Sequence, residues 1–419
     1  MKLLNKAAAF LCAAAVWSGS FVSAEMPAYS DISYAAESYY DNYQYDSAYS
    51  AAEKHIADGL FNMDKKISLS KYKLNGDQVV EIFTDILLTR ADIFYVQPQV
   101  MTYINDGTNT VLYIEPYYYY SQSEVKSRRT KLEKAADTIK SGINSKWNDV
   151  QKALYVHDMI IKSAVYDESE DVRTAYEILV KQKGVCVAYA MAYKYILNSI
   201  GIDCIVVGSD DMKHSWNMIK IGGSWYHVDL TWDDATPDYY GQVSHDYFML
   251  SDKALKNDEN SHYNWDSPYK ADSEKYDSRF WKDSNSFIVP YSSRYWYYIN
   301  NDKGQLRRYD WKTGRSAKIM SIDKDWKYDN AYTWDYCFSR LEKDGNDILI
   351  STDNEILRYN VKKKQLSVVK RVKPSGIDCI YGMTKKNGKL TYQLSEYEAS
   401  PDIKAYVIKV TSKNHRLKP

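Results

Sequence analysis

At Gly201 the hydrophobic period of this chain changes, and that change restricts the fold more than any other feature. From Cys186 to Ser199 the sequence reads CVAYAMAYKYILNS. Its apolar side chains recur at helical intervals, and Gly201 is a good C-terminal stop. From Cys204 onward the period is two. Cys204 to Gly208 reads as one strand and His214 to Ile221 as a second, with Trp216, Met218 and Ile219 among polar neighbours. Gly222-Gly223 is a turn signal, and Trp225 to Leu230 is the third strand. A helix that feeds an antiparallel sheet predicts an α+β fold.

Upstream, Ala51 to Phe61 and Asp77 to Arg90 carry helical spacing, and 93–104 with 110–120 read as a hairpin broken at Asp106-Gly107. Residues 124–165 read as two helices separated near 142–148, and another short helix is expected from about Val172 to Gln182. Beyond about 275 helical periodicity largely disappears and short strands recur. Leu306-Arg307-Arg308-Tyr309-Asp310 and Leu357-Arg358-Tyr359-Asn360 look like one position in two units, with tyrosines 50 residues apart. That spacing suits propeller blades or a related β-meander. About three units fit, fewer than the roughly four to eight of a closed propeller, so the expectation is a β-rich, repeat-like domain without a commitment to closure.

The chain has 419 residues and equal numbers of basic and acidic side chains. The length suits two or three domains. The neutral balance argues against nucleic acid or an anionic membrane as main partner, since both attract a basic surface. The 41 tyrosines fit strands and wet interfaces. At the N-terminus, Lys2 and Lys6 precede an apolar stretch from Ala7 to Trp17, and Val22-Ser23-Ala24 offers a small-residue cleavage site. This is the pattern of a secretory signal peptide. No later run is long and apolar enough to span a membrane, so a secreted or surface-held protein is expected. The resulting division is a leader at 1–24, a Tyr/Ser-rich linker at 25–50, an N-terminal α/β part at 51–145, a core at 146–270 and the β-rich domain at 275–419. Cys12 falls in the leader, leaving Cys186, Cys204, Cys337 and Cys379. They are too few for a disulfide scaffold and lack C-x-x-C spacing for zinc. Pairings of Cys186 with Cys204 and of Cys337 with Cys379 stay open on count alone.

One of these thiols stands where a nucleophile would. Cys186 opens a predicted helix, whose N-terminal N–H groups and dipole favour a thiolate and offer donors to an oxyanion. His214 begins a strand 28 residues later, and Asp229 sits near the end of the next. Across a hairpin centred on Gly222-Gly223 they fall roughly opposite, within reach on strands about 4.7 Å apart. Thiol, imidazole and carboxylate together make a Cys-His-Asp arrangement.

Gly184-Val185-Cys186, followed by HSWN at 214–217 and WYHVDLTWDD at 225–234, resembles the transglutaminase-like, papain-related superfamily, particularly its secreted bacterial branch. Thr174 to Leu179 fits too. The resemblance covers about 145–255 well and 50–145 loosely, and does not reach the C-terminal region. It implies a nucleophile helix packed on an antiparallel sheet. It also implies that Cys186 is the nucleophile, His214 the base and Asp229 the orienting carboxylate. The implied chemistry is attack on a carboxamide through a thioester, with no intrinsic metal or cofactor. Relatives of this kind usually carry a polar or small residue and then Gly after the cysteine; here Val187 and Ala188 follow, which narrows the space beside the thiol.

Other residues fall near the same stretch. Tyr166, Tyr176 and Gln182 are candidates for a cleft or oxyanion role, and Trp216 and Trp232 for an aromatic wall. Trp225 is the best core residue of the three tryptophans. His227 reads as a partner of the site or as an exposed residue, Asp233 and Asp234 as residues that bend the chain, and His157 and His245 as surface residues. The leading expectation is a secreted enzyme acting on amide bonds of proteins or peptides, possessing no second amine-binding feature and so favouring hydrolysis over cross-linking. The alternative is a silent transglutaminase-like scaffold that binds a cell-wall polymer, glycan or surface protein through its Tyr-rich and β-repeat regions.

Overall fold

The computed structural model describes residues 21–24, 47–105, 107–169, 174–256, 262–322, 326, 336–372, 378–396, 403–410 and 415–416. The expected leader up to residue 20 and the tyrosine-rich stretch 25–46 lie outside the described residues. Helices are α1 (Ser47–Asn62), α2 (Gly76–Thr89), α3 (Gln122–Lys140), α4 (Asp149–Ile161), α5 (Cys186–Ser199) and α6 (Asp252–Lys256). The first strands are β1 (Phe21–Ala24), β2 (Ile67–Ser68), β3 (Val96–Asn105), β4 (Thr110–Tyr118), β5 (Val165–Tyr166) and β6 (Lys183–Gly184). They are followed by β7 (Cys204–Ser209), β8 (His214–Ile221), β9 (Ser224–Val228) and β10 (Phe248–Leu250). The helix expected near 172–182 is a five-residue π-helical turn, Glu177–Lys181. Among the described residues no helix is long and apolar enough to cross a membrane.

The chain divides into two units, one of residues 1–141, 167–228 and 251–272, the other of 142–166, 229–250 and 273–419. In the first, capping boxes start α2 and α3. Asn75 and Gln78 exchange side-chain and backbone bonds of 2.9 and 3.0 Å at α2, and Ser121 with Glu124 does the same at α3. The buried stripe of α2 is Val79, Ile82, Phe83, Ile86 and Leu87, the i, i+3, i+4 pattern of an amphipathic helix. One antiparallel sheet runs in the order β1, β3, β4, β2. A second is a meander of β7, β8 and β9, with Cys204 opposite Ile219 and Ile221 opposite Ser224. Helix α5 packs on β7 and β8. It is buried along nearly its whole length, from Cys186 through Tyr193 and again at Ile196 and Leu197, as a helix apolar on most faces must be.

The second unit holds α4 and three antiparallel sheets. Their strands are β11 (Val289–Pro290) to β14 (Arg315–Ser321), β15 (Leu341–Asp344) to β18 (Gln365–Arg371) joined by β22 (His415–Arg416), and β19 (Cys379–Lys386) to β21 (Lys404–Lys409). Between them come β12 (Tyr295–Asn300), β13 (Gln305–Asp310), β16 (Asp347–Ser351), β17 (Glu355–Asn360) and β20 (Lys389–Ser395). The hairpin of β13 and β14 and that of β17 and β18 are in the same register fifty residues apart. Tyr309 faces Ser316 and Tyr359 faces Leu366; a bulge follows Leu306 in one and Ile356 in the other. Helix α4, capped by Asn148 and Gln151, belongs with these sheets. Gln151 donates to the Ser293 carbonyl at 3.1 Å, Trp147 stands edge-on to Trp296, and Lys162 pairs with buried Glu342 at 2.6 Å.

Candidate active site

Cys186 is the first residue of α5. Val185 before it is extended, with φ −107° and ψ 179°, and caps the helix with no side-chain bond. Gly184 is favoured by packing: a Cβ there would lie 3.1 Å from Ala188 Cβ and 3.3 Å from Ile178 Cδ1. The G-V-C motif therefore sets the cysteine where the chain runs tight against the first turn of its own helix. Cys186 is 6% exposed and stands at the N-terminal end of the helix, where backbone N–H groups lack helical partners and the dipole is positive. Cys186, Cys204, Cys337 and Cys379 are not joined in disulfides, so neither pairing left open by the count forms in this structure. Cys204 is buried, and burial pushes its thiol far above the ordinary range.

His214 is the first residue of β8 and is buried. Its ring stacks on Trp216, centroids 5.7 Å apart and planes 18° from parallel. His262, which sequence reasoning missed, lies 5.6 Å from His214 and edge-on to Trp216 at 4.7 Å. Trp216 is itself fully buried, and its indole N–H donates to His227 Nδ1 at 3.0 Å. An indole can only donate, so Nδ1 accepts and the proton of neutral His227 sits on Nε2. That N–H donates to Asp252 Oδ1 at 2.8 Å, an oxygen that also accepts from Ala271 N–H at 3.1 Å. Burial pushes the His227 pKa down despite Asp252. For Asp252 burial works upward, but the His227 and Ala271 bonds outweigh it and hold the carboxyl low.

Asn217 supplies the second missed feature. Its side-chain amide donates to the Ala190 carbonyl in α5 at 3.0 Å and to the Ile205 carbonyl in β7 at 3.1 Å. The N of HSWN therefore ties the helix that begins with Cys186 to the sheet that carries His214.

Asp229 follows Val228, the last paired residue of β9, and is buried. It opens a turn: Oδ1 accepts from Thr231 N–H at 2.9 Å and from Trp232 N–H at 3.2 Å. Its own N–H donates to the Tyr247 carbonyl at 3.1 Å. Among the remaining candidates, Tyr176 is buried with its ring stacked on Phe94 at 5.0 Å, and Tyr166 is 37% exposed. Gln182 adopts a left-handed conformation, φ 62°. Trp232 stands edge-on to Tyr247. Trp225, expected as the core tryptophan, is only half-buried and stacks on Tyr269 at 4.2 Å, while Trp216 takes the interior position.

His157 and His245 are not surface residues. Both are wholly buried in the second unit, in a network with Asp158 and Asp233. His157 donates from Nδ1 to Asp158 and from Nε2 to Asp233, each at 3.0 Å. His245 donates from Nε2 to Asp158 at 3.0 Å and from Nδ1 to the Ser284 carbonyl at 2.7 Å. Ile288 N–H donates to Asp158 and Tyr247 N–H to Asp233, again at 3.0 Å. Burial alone would lower the His157 pKa; its bonds to the two carboxylates outweigh that and place it at about 9. With both ring nitrogens donating, this imidazole has no lone pair to offer a metal. Asp233 thus does more than bend the chain, as its sequence context suggested.

A family model for the transglutaminase-like superfamily matches residues 133–230. Mouse kyphoscoliosis peptidase is 25% identical over 150 residues, covering 28% of this chain and 23% of that protein. The chain therefore spans under a quarter of the length of that curated relative. A solved structure described as the crystal structure of a TGase is 12% identical, covers 45% of this chain and 49% of its own, and has a TM-score of 0.23, too slight a likeness to carry weight. Cys186, His214 and Asp229 all fall inside the matched stretch, and over residues 133–230 the chain is similar to the transglutaminase-like superfamily.

Proposed function

We propose that this protein is a cysteine-nucleophile enzyme that acts outside the cytoplasm on amide bonds of proteins or peptides, and that it is a hydrolase rather than a cross-linker. The observation that carries this reading is Cys186, outside any disulfide, as the first residue of a helix inside the matched stretch, packed on a sheet whose strand β8 opens with His214. Secretion rests on the leader pattern at 1–24. Surface association with a cell-wall or protein substrate is part of the same proposal.

In this mechanism His214 takes the proton of Cys186 as the sulfur attacks the carboxamide carbonyl. The tetrahedral oxyanion is met by N–H groups at the start of α5. Collapse breaks the C–N bond, and His214 returns the proton to the departing amine, leaving a thioester. Water, deprotonated by the same imidazole, then attacks the thioester; the acid leaves and the thiol is restored. Asp229 orients the imidazole.

Thiol reactivity tests the reading. The chain without its leader is treated with a sub-stoichiometric alkylating agent at pH 6, and the label is located by mass spectrometry. Selective labelling of Cys186 is expected, falling about a hundredfold or more in His214→Ala and clearly in Asp229→Asn. Slow and indifferent labelling of all four cysteines, unchanged by mild reduction, would leave the scaffold as the better reading.

A further inference from the structure

Trp216 lies between two histidines of different kinds. On one side its ring stacks on His214; on the other its N–H is held by His227, which is held in turn by Asp252. We propose that Asp252, His227 and Trp216 form a positioning relay that fixes the ring plane of His214, and that the relay holds only while His227 is neutral. The proposal rests on the reading of His214 as the base.

The chemistry of the relay is directional. An indole N–H needs an acceptor, and His227 offers one only at an unprotonated Nδ1. Asp252 accepts from the opposite nitrogen at 2.8 Å and so selects the tautomer that leaves Nδ1 open. A buried donor without its acceptor costs about 1 to 3 kcal/mol. Loss of the His227 acceptor therefore drives the indole to move, and the indole is the surface on which His214 rests. Trp216 and His227 are fully buried, so the relay acts through the imidazole of His214.

The groups around His227 fix the direction of the response to pH. Asp252 favours the imidazolium, whereas burial and the charges of Lys256 and His262 oppose it. Trp265 stands edge-on at 5.1 Å, and Met218 is its cross-strand neighbour. Opposition prevails, so His227 is neutral at pH 7 and protonates only at a pH below the ordinary histidine range. Acidification through that point removes the acceptor and uncouples Trp216. An acid limb is expected in the reactivity of Cys186 that belongs to His227 and is separate from the titration of the thiol and its base.

The test uses the chain without its leader and three variants. His227→Leu removes the acceptor while keeping an apolar side chain. His227→Gln restores an acceptor and a donor on one side chain but cannot protonate. Trp216→Phe keeps the stacked ring and removes the N–H. The labelling rate of Cys186 is followed from pH 4.5 to 8, with the Trp216 indole N–H and His214 ring resonances recorded by NMR. At pH 7 the rate should fall about tenfold in His227→Leu and be largely restored in His227→Gln, whose acid limb should shift or vanish. Trp216→Phe should lose the same limb. In the unaltered chain the indole and His214 resonances should move together as pH falls.

A His227→Leu variant that folds and labels like the unaltered chain at every pH overturns the proposal, as does a His227→Gln variant that keeps the same acid limb. Indole and His214 resonances that titrate independently overturn it as well. If Cys186 shows no selective labelling in the unaltered chain, the enzymatic reading fails on that result alone, and the coupled resonances still decide whether the relay sets the His214 ring.

Discussion

Asn217 donates to the carbonyl of Ala190 in α5 and, with the same amide nitrogen, to the carbonyl of Ile205 in β7. One buried side chain thus closes the triangle between α5 and two strands. Asn217→Ala should destabilise the protein by about 1 to 3 kcal/mol, the range for leaving a buried polar group unsatisfied. Asn217→Asp, nearly the same shape, should cost more, because it brings carboxylate oxygen against two carbonyl oxygens. Urea denaturation of both variants checks the order.

The approach of Gly184 to Ala188 should be equally unforgiving. Gly184→Ala introduces a Cβ 3.1 Å from Ala188 Cβ, and overpacking of this kind costs about 1 to 3 kcal/mol. Ala188→Gly alone should cost about 1 kcal/mol through helix propensity. The double variant should be more stable than the sum of the two losses predicts. A thermodynamic cycle on the four proteins measures that coupling.

The buried network around His157 predicts a pH dependence of stability. Its folded-state pKa, about 9, lies above the ordinary value of about 6.5. A raised pKa means that the stabilisation is fully present below pH 6.5 and is lost as pH rises through 9. The loss should approach about 3 kcal/mol. Denaturation midpoints from pH 6 to 10 should show this decline, and His157→Gln, less stable at neutral pH, should show a flatter profile.

The matched hairpins of the second unit predict a stabilising substitution. Gly314 in the first turn has φ 67°, and Lys364, fifty residues later in the equivalent turn, has φ 52°. Glycine adopts this region freely, whereas a residue with a Cβ is strained there by about 1 kcal/mol or more. Lys364→Gly should therefore raise stability by roughly 0.5 to 1 kcal/mol, read as a higher thermal midpoint.

Local pattern made much of the fold legible. The bounds of α5 and β8 follow from apolar period and from Gly201 and Gly222-Gly223, because strand and helix faces there are set by neighbours within a few residues. The motif around Cys186, His214 and Asp229 was legible for the same reason. What stayed hidden depends on long-range partners. His157 meets Asp233 76 residues away, and His245 meets Asp158 87 residues away. A lone histidine carries no local trace of such a bond, so both read as surface residues. Trp216 and Trp225 exchanged roles because three histidines and a tryptophan, His214, His227, His262 and Trp265, surround the former, and the last two come from a segment with no periodic signal. Asn217 stood in the motif in plain view; only its two acceptors give it a purpose.

The common register of the β13–β14 and β17–β18 hairpins has a genetic consequence. An exchange between the codons for Tyr309 and Tyr359 would shorten or lengthen the chain by fifty residues, and each surviving strand of these hairpins would still meet a partner in step, bulge included. Insertions elsewhere in a sheet turn side chains to the wrong face. Here a change of fifty residues keeps the pairing rule of these two hairpins, so their register alone sets no bar to variation by modules.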